Sequence, residues 1–194
     1  MIEHFIDYKK CIPDEYVNTV YDIDYLSLYN KGLRVIFFDL DNTLISYKEE
    51  TVNQKAIDLI NKLKTIGYEI MLVSNNSHKK RVAKASMDLN IDYVNFALKP
   101  LKHGFKKALK KLNHKYSANQ VLQIGDQLLT DVYGSRRMKF YTILVDAIDH
   151  KSEILATKIN RRREKNILNK IKKKDNLKYS EILERYELKN LWVN

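Results

Sequence analysis

A chain of 194 residues has room for one domain with appendages. Its single cysteine, Cys11, excludes an internal disulfide and a multi-cysteine metal knuckle, and no apolar run reaches the ~18 residues that a membrane-spanning helix needs. The net charge of +11 suits nucleic acid, anionic lipid or an acidic substrate, and equally a coding bias toward Lys, Asn, Ile and Tyr that has no functional meaning.

The opening "MIEHFIDYKK" carries acids and lacks an apolar h-region, so a cytoplasmic protein without a signal peptide is expected. "PDEYVNTVYDIDYLSLYNKG" predicts a helix or two that end at Gly32 and pack on the core. "RVIFFDL" is a short apolar run rich in β-formers and reads as a buried strand. In "NQKAIDLINKLKTIG", Ala56, Ile57, Ile60, Leu63 and Ile66 recur at helical spacing and Gly67 is a stop. "YEIMLVSNNS" is strand, "HKKRVAKASMDLN" helix, "IDYVNFALKP" strand or extended, and "LKHGFKKALKKLN" a basic helix after Pro100. "NQVLQIGD" is strand, "LLTDVYGSRRMKF" helix and "YTILVDAI" strand. This alternation implies an α/β fold with a doubly wound parallel sheet, whose strands all end on one edge. Active sites of such sheets lie at that edge.

The polar residues at the strand ends form a coherent set. The first strand supplies Asp39, Asp41 and Thr43, the second Ser74, Asn75 and Asn76, the third Lys99, and the fourth Gly125 and Asp126, with Thr130 and Asp131 next. Hard carboxylate oxygens suit Mg²⁺, and a lysine is a point charge for phosphoryl oxygens. The absence of a His cluster argues against zinc. An aspartate can be the nucleophile of an aspartyl-phosphate pathway, and Asp39 is best placed for it. Asp41, two residues on, faces the same side of an extended segment and can act as acid and base. Taken singly, each has a plainer reading. Asp41-Asn42-Thr43 makes a good cap and turn, Ser74-Asn75-Asn76 an ordinary loop, Lys99 a surface lysine, and Asp131 a helix N-terminal charge.

In order, "DLDNT", "IMLVSNN", "LKP" and "IGDQLLTD" resemble the four motifs of the haloacid dehalogenase (HAD) superfamily, across roughly residues 34–146. The resemblance implies that Asp39 is the nucleophile and Asp41 the general acid/base. It implies Mg²⁺ held by Asp39, Asp126 and the Asp41 carbonyl. Ser74 and Lys99 would bind the phosphoryl group, with Thr43 and Asn75 beside them and Asp131 in support. Two aspartates in the first motif imply a phosphatase or phosphotransferase. The intervals 44–73 and 77–98 leave no room for a cap domain, so the capless type is implied. The segment "PDEYVNTVYDIDYLSLYNKG" before "RVIFFDLDNTL" is similar to YqeG-like proteins of HAD subfamily IIIA, related to phosphatidylglycerophosphate phosphatases. That implies a lipid phosphate substrate. The alternatives are another phosphorylated metabolite, a nucleic-acid end, or a non-catalytic RNA-binding module on the same scaffold.

Residues 1–150 are thus expected to form the catalytic domain and 151–194 a basic helical extension. "KINRRREKNILNKIKKK", Lys158 to Lys174, holds nine basic residues and one acid, Glu164. Ile154, Leu155, Ile159, Ile167, Leu168 and Ile171 are expected to form one apolar stripe. Such a helix can lie peripherally on an anionic membrane, bind RNA through phosphates, or dock on the core with a solvated outer face. The end of the chain reads as a last helix, with Trp192 as an anchor or a partner contact.

Overall fold

The computed structural model describes residues 6–191; Trp192 lies outside them. Six strands form one parallel sheet in the order β1-β6-β5-β2-β3-β4. In chain order the elements begin with β1 (Glu15–Tyr16), α1 (Tyr25–Asn30), β2 (Val35–Phe38), α2 (Gln54–Ile66), β3 (Glu69–Val73) and α3 (Lys79–Leu89). There follow β4 (Asp92–Val94), α4 (Lys102–Lys111) and β5 (Val121–Gly125). A π-helical turn, Leu128–Tyr133, runs into α5 (Gly134–Arg136) and then β6 (Tyr141–Leu144). The end is helical: α6 (Leu155–Lys174), α7 (Asn176–Lys178), a second π turn at Tyr179–Leu183, and α8 (Glu184–Asn190).

β2 lies between β3 and β5, and all four of its residues are buried. Its side chains alternate between two cores. Ile36 and Phe38 join Ala56, Ile60 and Leu63 of α2 and Val82 and Leu89 of α3 on one face. Val35 and Phe37 join Phe105 and Ala108 of α4 on the other. Covering both faces is what permits continuous apolar strands. Local signals end the helices where expected. Asn53 caps α2 by accepting the Ala56 N–H at 3.0 Å, and Gly67 closes it with φ 109°.

The helix expected before Gly32 is α1, and its Tyr25 and Leu28 pack on the core. Among the described residues of this segment α1 is the one α-helix, with short 3-10 helices at Tyr8–Cys11 and Val20–Asp22, and Glu15–Tyr16 adds a parallel edge strand to β6. Asp14 fixes this register. Its carboxylate accepts two bonds from Arg136, at 2.7 and 2.8 Å, and one from the Thr142 N–H at 2.8 Å. The short strand covers backbone groups that β6 would otherwise leave unpaired.

The expected apolar stripe of the C-terminal helix is split. Ile167, Leu168 and Ile171 are buried against Leu128, Leu129, Val132, Cys11 and Tyr186. Ile154, Leu155 and Ile159 are exposed at 53, 74 and 40 %. The second half of α6 is therefore part of the core, while its first turns face out beside the strand ends. Leu168→Ala should cost about 2–5 kcal/mol in urea unfolding, the usual range for a buried leucine truncation. It should also speed modification of the Cys11 thiol, which burial pushes well above its ordinary pKa. A change near zero would mean that the helix adds nothing to the core.

Candidate active site

The backbone continues past β2 as if the strand went on, with the Asp39 N–H donating to Ile124 at 2.9 Å. It then curls. Asn42 takes a left-handed conformation with φ 63°, and the Leu40 carbonyl accepts the N–H groups of Thr43, Leu44 and Ile45. Leu40 is buried in the core, whereas Asp39 and Asp41 both line a cleft of about 690 Å³. Apolar and acidic residues alternate here because one set anchors the loop and the other is presented.

Lys99 reaches this point from the loop after β4. Its Nζ lies 2.7 Å from Asp39 Oδ1 and 2.7 Å from Asp131 Oδ1, with the lysine side chain only 2 % exposed. Burial works against the ammonium, but the Asp131 and Asp39 charges outweigh it and raise the Lys99 pKa. Burial also pushes the Asp39 carboxyl well up. Lys99 opposes this, and Asp131 and Asp126 add to it. Gly125 lets Asp131 come this close, since a Cβ there would meet the Asp131 carboxyl carbon at 2.2 Å.

Asp39, Asp126 and Asp131 each offer an oxygen within 4.8 Å of the others, and all three are buried. Burial drives the Asp126 carboxyl up to about 6, with Arg161 opposing and Asp131 and Glu153 adding. Three carboxylates against Lys99 and Arg161 leave an excess of buried negative charge. A small hard dication would relieve it, and the donors are all oxygen. The acidic cluster thus fits a metal such as Mg²⁺. The Asp41 carboxylate lies outside that cluster and is held elsewhere. Arg81 Nε donates to its Oδ1 and Asn76 Nδ2 to its Oδ2, both at 2.9 Å.

Ser74, Asn75 and Lys99 line the cleft as expected. Ser74 Oγ accepts the Asn76 N–H at 3.0 Å, which leaves its own hydrogen to donate. Asn75 spends its amide on Lys99, accepting the lysine N–H at 2.7 Å and donating to its carbonyl at 2.8 Å. It holds Lys99 in place as well as lining the cleft. Thr43 is buried and turned to Asp126, 3.4 Å away, so it does not line the cleft.

Sequence reasoning passed over two arginines. Arg81 also donates to the carbonyls of Ser46, at 2.8 Å, and Glu49, which ties α3 to the loop after β2. Among Lys79, Lys80, Arg81 and Lys84 nothing in the sequence singles it out. Arg161 donates to the Asp126 carboxylate, and to its carbonyl at 2.7 Å. It also meets Glu153 at 3.0 Å, Glu164 at 3.4 Å and the Tyr186 hydroxyl at 2.7 Å. Burial raises the Glu164 carboxyl to about 7, opposed by Arg161 and by the Leu129 N–H. A signal existed: Glu164 is the lone acid of the basic run, three residues after Arg161, and thus on the same helix face. Ile154, Ala156, Thr157 and Asn160 of this segment form part of the cleft wall.

The family model described as mitochondrial PGP phosphatase matches residues 1–149. The probable phosphatase YqeG of Bacillus subtilis (strain 168) is 33% identical over 173 residues, spanning 89% of this chain and 98% of YqeG. The HAD-hydrolase YfnB from Bacillus subtilis, solved bound to magnesium, aligns with a TM-score of 0.50 at 15% identity. That alignment covers 64% of this chain and 91% of YfnB, and the likeness is one of fold.

Arg161 lies beyond the residues that the family model matches. Arg161→Met should lower stability by about 3–5 kcal/mol in urea, because it strands Asp126, Glu153 and Glu164 as buried acids. A loss below about 1 kcal/mol would mean that the guanidinium is no more than a surface ion pair.

Proposed function

The chain belongs to the mitochondrial PGP phosphatase family of HAD hydrolases and is a phosphatase; on that premise we propose that it hydrolyses the phosphomonoester of phosphatidylglycerophosphate, with Asp39 as nucleophile and Mg²⁺ as its metal. The observation that carries the reading is the position of Asp39. It ends the central strand, opens on the cleft, and has Lys99 at 2.7 Å with Asp126 and Asp131 beside it.

In this reading Asp39 Oδ attacks phosphorus, and the bond from phosphorus to the ester oxygen breaks. The Asp41 carboxyl gives its proton to the departing alkoxide oxygen. Arg81 and Asn76 hold Asp41 at the cleft for that transfer. Water then attacks the phosphorus of the Asp39 acyl phosphate and passes its proton to Asp41. The O–P bond to Asp39 breaks, which releases inorganic phosphate and restores the carboxylate. Lys99 balances charge on the phosphoryl oxygens, and the Ser74 hydroxyl donates to one of them. Asp131 and Asn75 keep Lys99 in place. Asp39 and Asp126, with the Asp41 carbonyl, would hold Mg²⁺, and Asp131 would support it. Bound there, the ion would supply further positive charge to the phosphoryl group.

A lipid substrate is supported by the openness of the site. Only α2 lies between β2 and β3, and only α3 between β3 and β4, so no inserted domain covers the cleft. No helix among the described residues is long and apolar enough to cross a membrane, so a lipid would be met at a surface. We place the protein in the cytoplasm, peripheral to the inner face of the membrane.

Asp39→Asn should reduce Mg²⁺-dependent release of phosphate from an aryl phosphate and from phosphatidylglycerophosphate at least about a thousandfold. Undiminished turnover would overturn the mechanism. Aryl phosphate turnover without lipid turnover would remove the substrate.

The metal reading has a pH signature. Burial raises Asp126 to about 6, above the usual carboxylate range, so the metal-free fold binds its proton more tightly than the unfolded chain does. Metal-free stability should therefore fall as pH rises from the ordinary carboxylate range through about 6. Metal binding needs the ionised form and should strengthen over the same interval. The Tm difference between Mg²⁺ and chelator should thus be larger at neutral than at mildly acidic pH. A difference independent of pH would count against Asp126 as a ligand.

A further inference from the structure

The cleft has an unusual rim. Phe96 and Ile154 both line it, and both are more than half exposed. Leu98, 40 % exposed, and Leu101, 53 % exposed, follow Phe96 in the loop that carries Lys99; Leu155, 74 %, and Ile159, 40 %, follow Ile154 in the first turns of α6. Surface apolar residues are common singly, but a cluster around one opening marks an interaction site. The backbone reinforces this. Phe96 and Leu98 have φ 47° and 56°, a left-handed conformation that bulky residues rarely adopt. Strain of that kind persists where the surrounding structure imposes it and gathers at functional sites.

The same edge is strongly positive. In a parallel α/β sheet the helices begin where the strands end, so the positive helix ends gather at the cleft. Acidic residues usually occupy first turns, yet α3, α4 and α6 have none there. They carry instead the exposed Lys79, Lys80, Lys102 and Lys158, with Lys151 and Arg162 nearby. No acid occurs from Tyr93 through Gly125, nor from Ile154 through Arg163. Exposed acids of this face include Glu50, while Asp149 is paired with Lys48 at 3.0 Å.

We propose that this rim is a docking surface for an anionic lipid bilayer, which sets the cleft mouth against the headgroups. The inference deepens the lipid-phosphate reading and rests on it for the substrate, while the surface itself is argued from the rim. Leucine and isoleucine side chains enter the headgroup boundary, and lysines gain from the negative surface potential. A nucleic acid would be met by aromatic stacking platforms among the cations. The exposed apolar side chains here are aliphatic apart from Phe96; the other rings of the cleft lining are His78 and Tyr47, which is half-buried and bonded to Thr157.

The test is sedimentation of the full chain with vesicles. Vesicles of phosphatidylcholine mixed with phosphatidylglycerol should carry the protein down, vesicles of phosphatidylcholine alone should not, and high salt should weaken the binding. The double variant Leu155→Asp/Ile159→Asp should bind the mixed vesicles at least about tenfold more weakly. Met87→Asp, at the other end of α3 and 78 % exposed, should bind like the native chain. Aryl phosphate turnover should be unchanged in both variants, which verifies folding. Failure to bind mixed vesicles, equal binding to neutral ones, or undiminished binding by the double variant would overturn the surface. So would salt-sensitive capture of an RNA oligonucleotide without vesicle binding. Vesicle binding without turnover of any phosphate would sustain the surface and sink the phosphatase mechanism; turnover without vesicle binding would do the reverse.

Discussion

The structure turns on one buried contact, the Lys99 ammonium between the carboxylates of Asp39 and Asp131, 2.7 Å from each. In so enclosed a place a charge without its partner costs several kcal/mol. The three side chains come from three different strand ends, so the contact is available only to a correctly ordered sheet. The demand then spreads. Asp126 and Asp41 are buried nearby and need cations of their own, which arrive as Arg161 from α6 and Arg81 from α3. Each carboxylate is thus met by a positive group from another element. The site and the packing of those elements form together, as expected of a buried polar network that is costly when half satisfied.

That requirement explains the course of the C-terminal helix. Basic residues outnumber acids heavily in α6, yet they do unlike things. Arg161 points inward to Asp126, Glu153 and Glu164, and Tyr186 of α8 closes the group from behind. One turn later the same face becomes apolar and packs on the π turn that carries Asp131. Lys158 and Arg162 remain outside. The helix neutralises a strand-end acid, covers the adjacent core and lends Thr157 and Asn160 to the cleft wall. A helix whose sequence leaves membrane, RNA and the core open as partners is therefore built into the floor of the site.

The parts legible in the sequence are those set by short-range pattern. Val35 to Phe38 declares a buried strand, and the acids that follow declare where it ends. Asn53 and Gly67 bracket α2, and the four motifs lie in the order that a doubly wound sheet brings to one edge. What escaped depends on long-range pairing. Glu15–Tyr16 is too short for a periodic signal and is a strand only because β6 has an open edge for it. Arg81 and Arg161 sit in runs of similar residues, where burial alone separates them from their neighbours. The strand-end position of Asn75 is plain in the sequence, but its bonds to Lys99 follow from the fold of a loop 24 residues further on.

The division of labour across the cleft follows from where each residue type can be kept. Charged groups survive at the floor because they are matched there, carboxylate to lysine or arginine, over short distances. At the mouth the left-handed backbone of Phe96 and Leu98 and the free first turn of α6 leave apolar groups facing solvent. In a closed enzyme these would be covered by an inserted domain, but the connections after β2 and β3 are too short to supply one. Moving outward, the site passes from matched charge, through the hydroxyl and amide groups of Ser74, Asn76 and Asn160, to an aliphatic rim set among lysines. A phospholipid presents the complementary order, with its phosphate reaching deepest and its chains left at the membrane. Under the docking proposal the rim would take the place of a cap, with the bilayer as the missing wall.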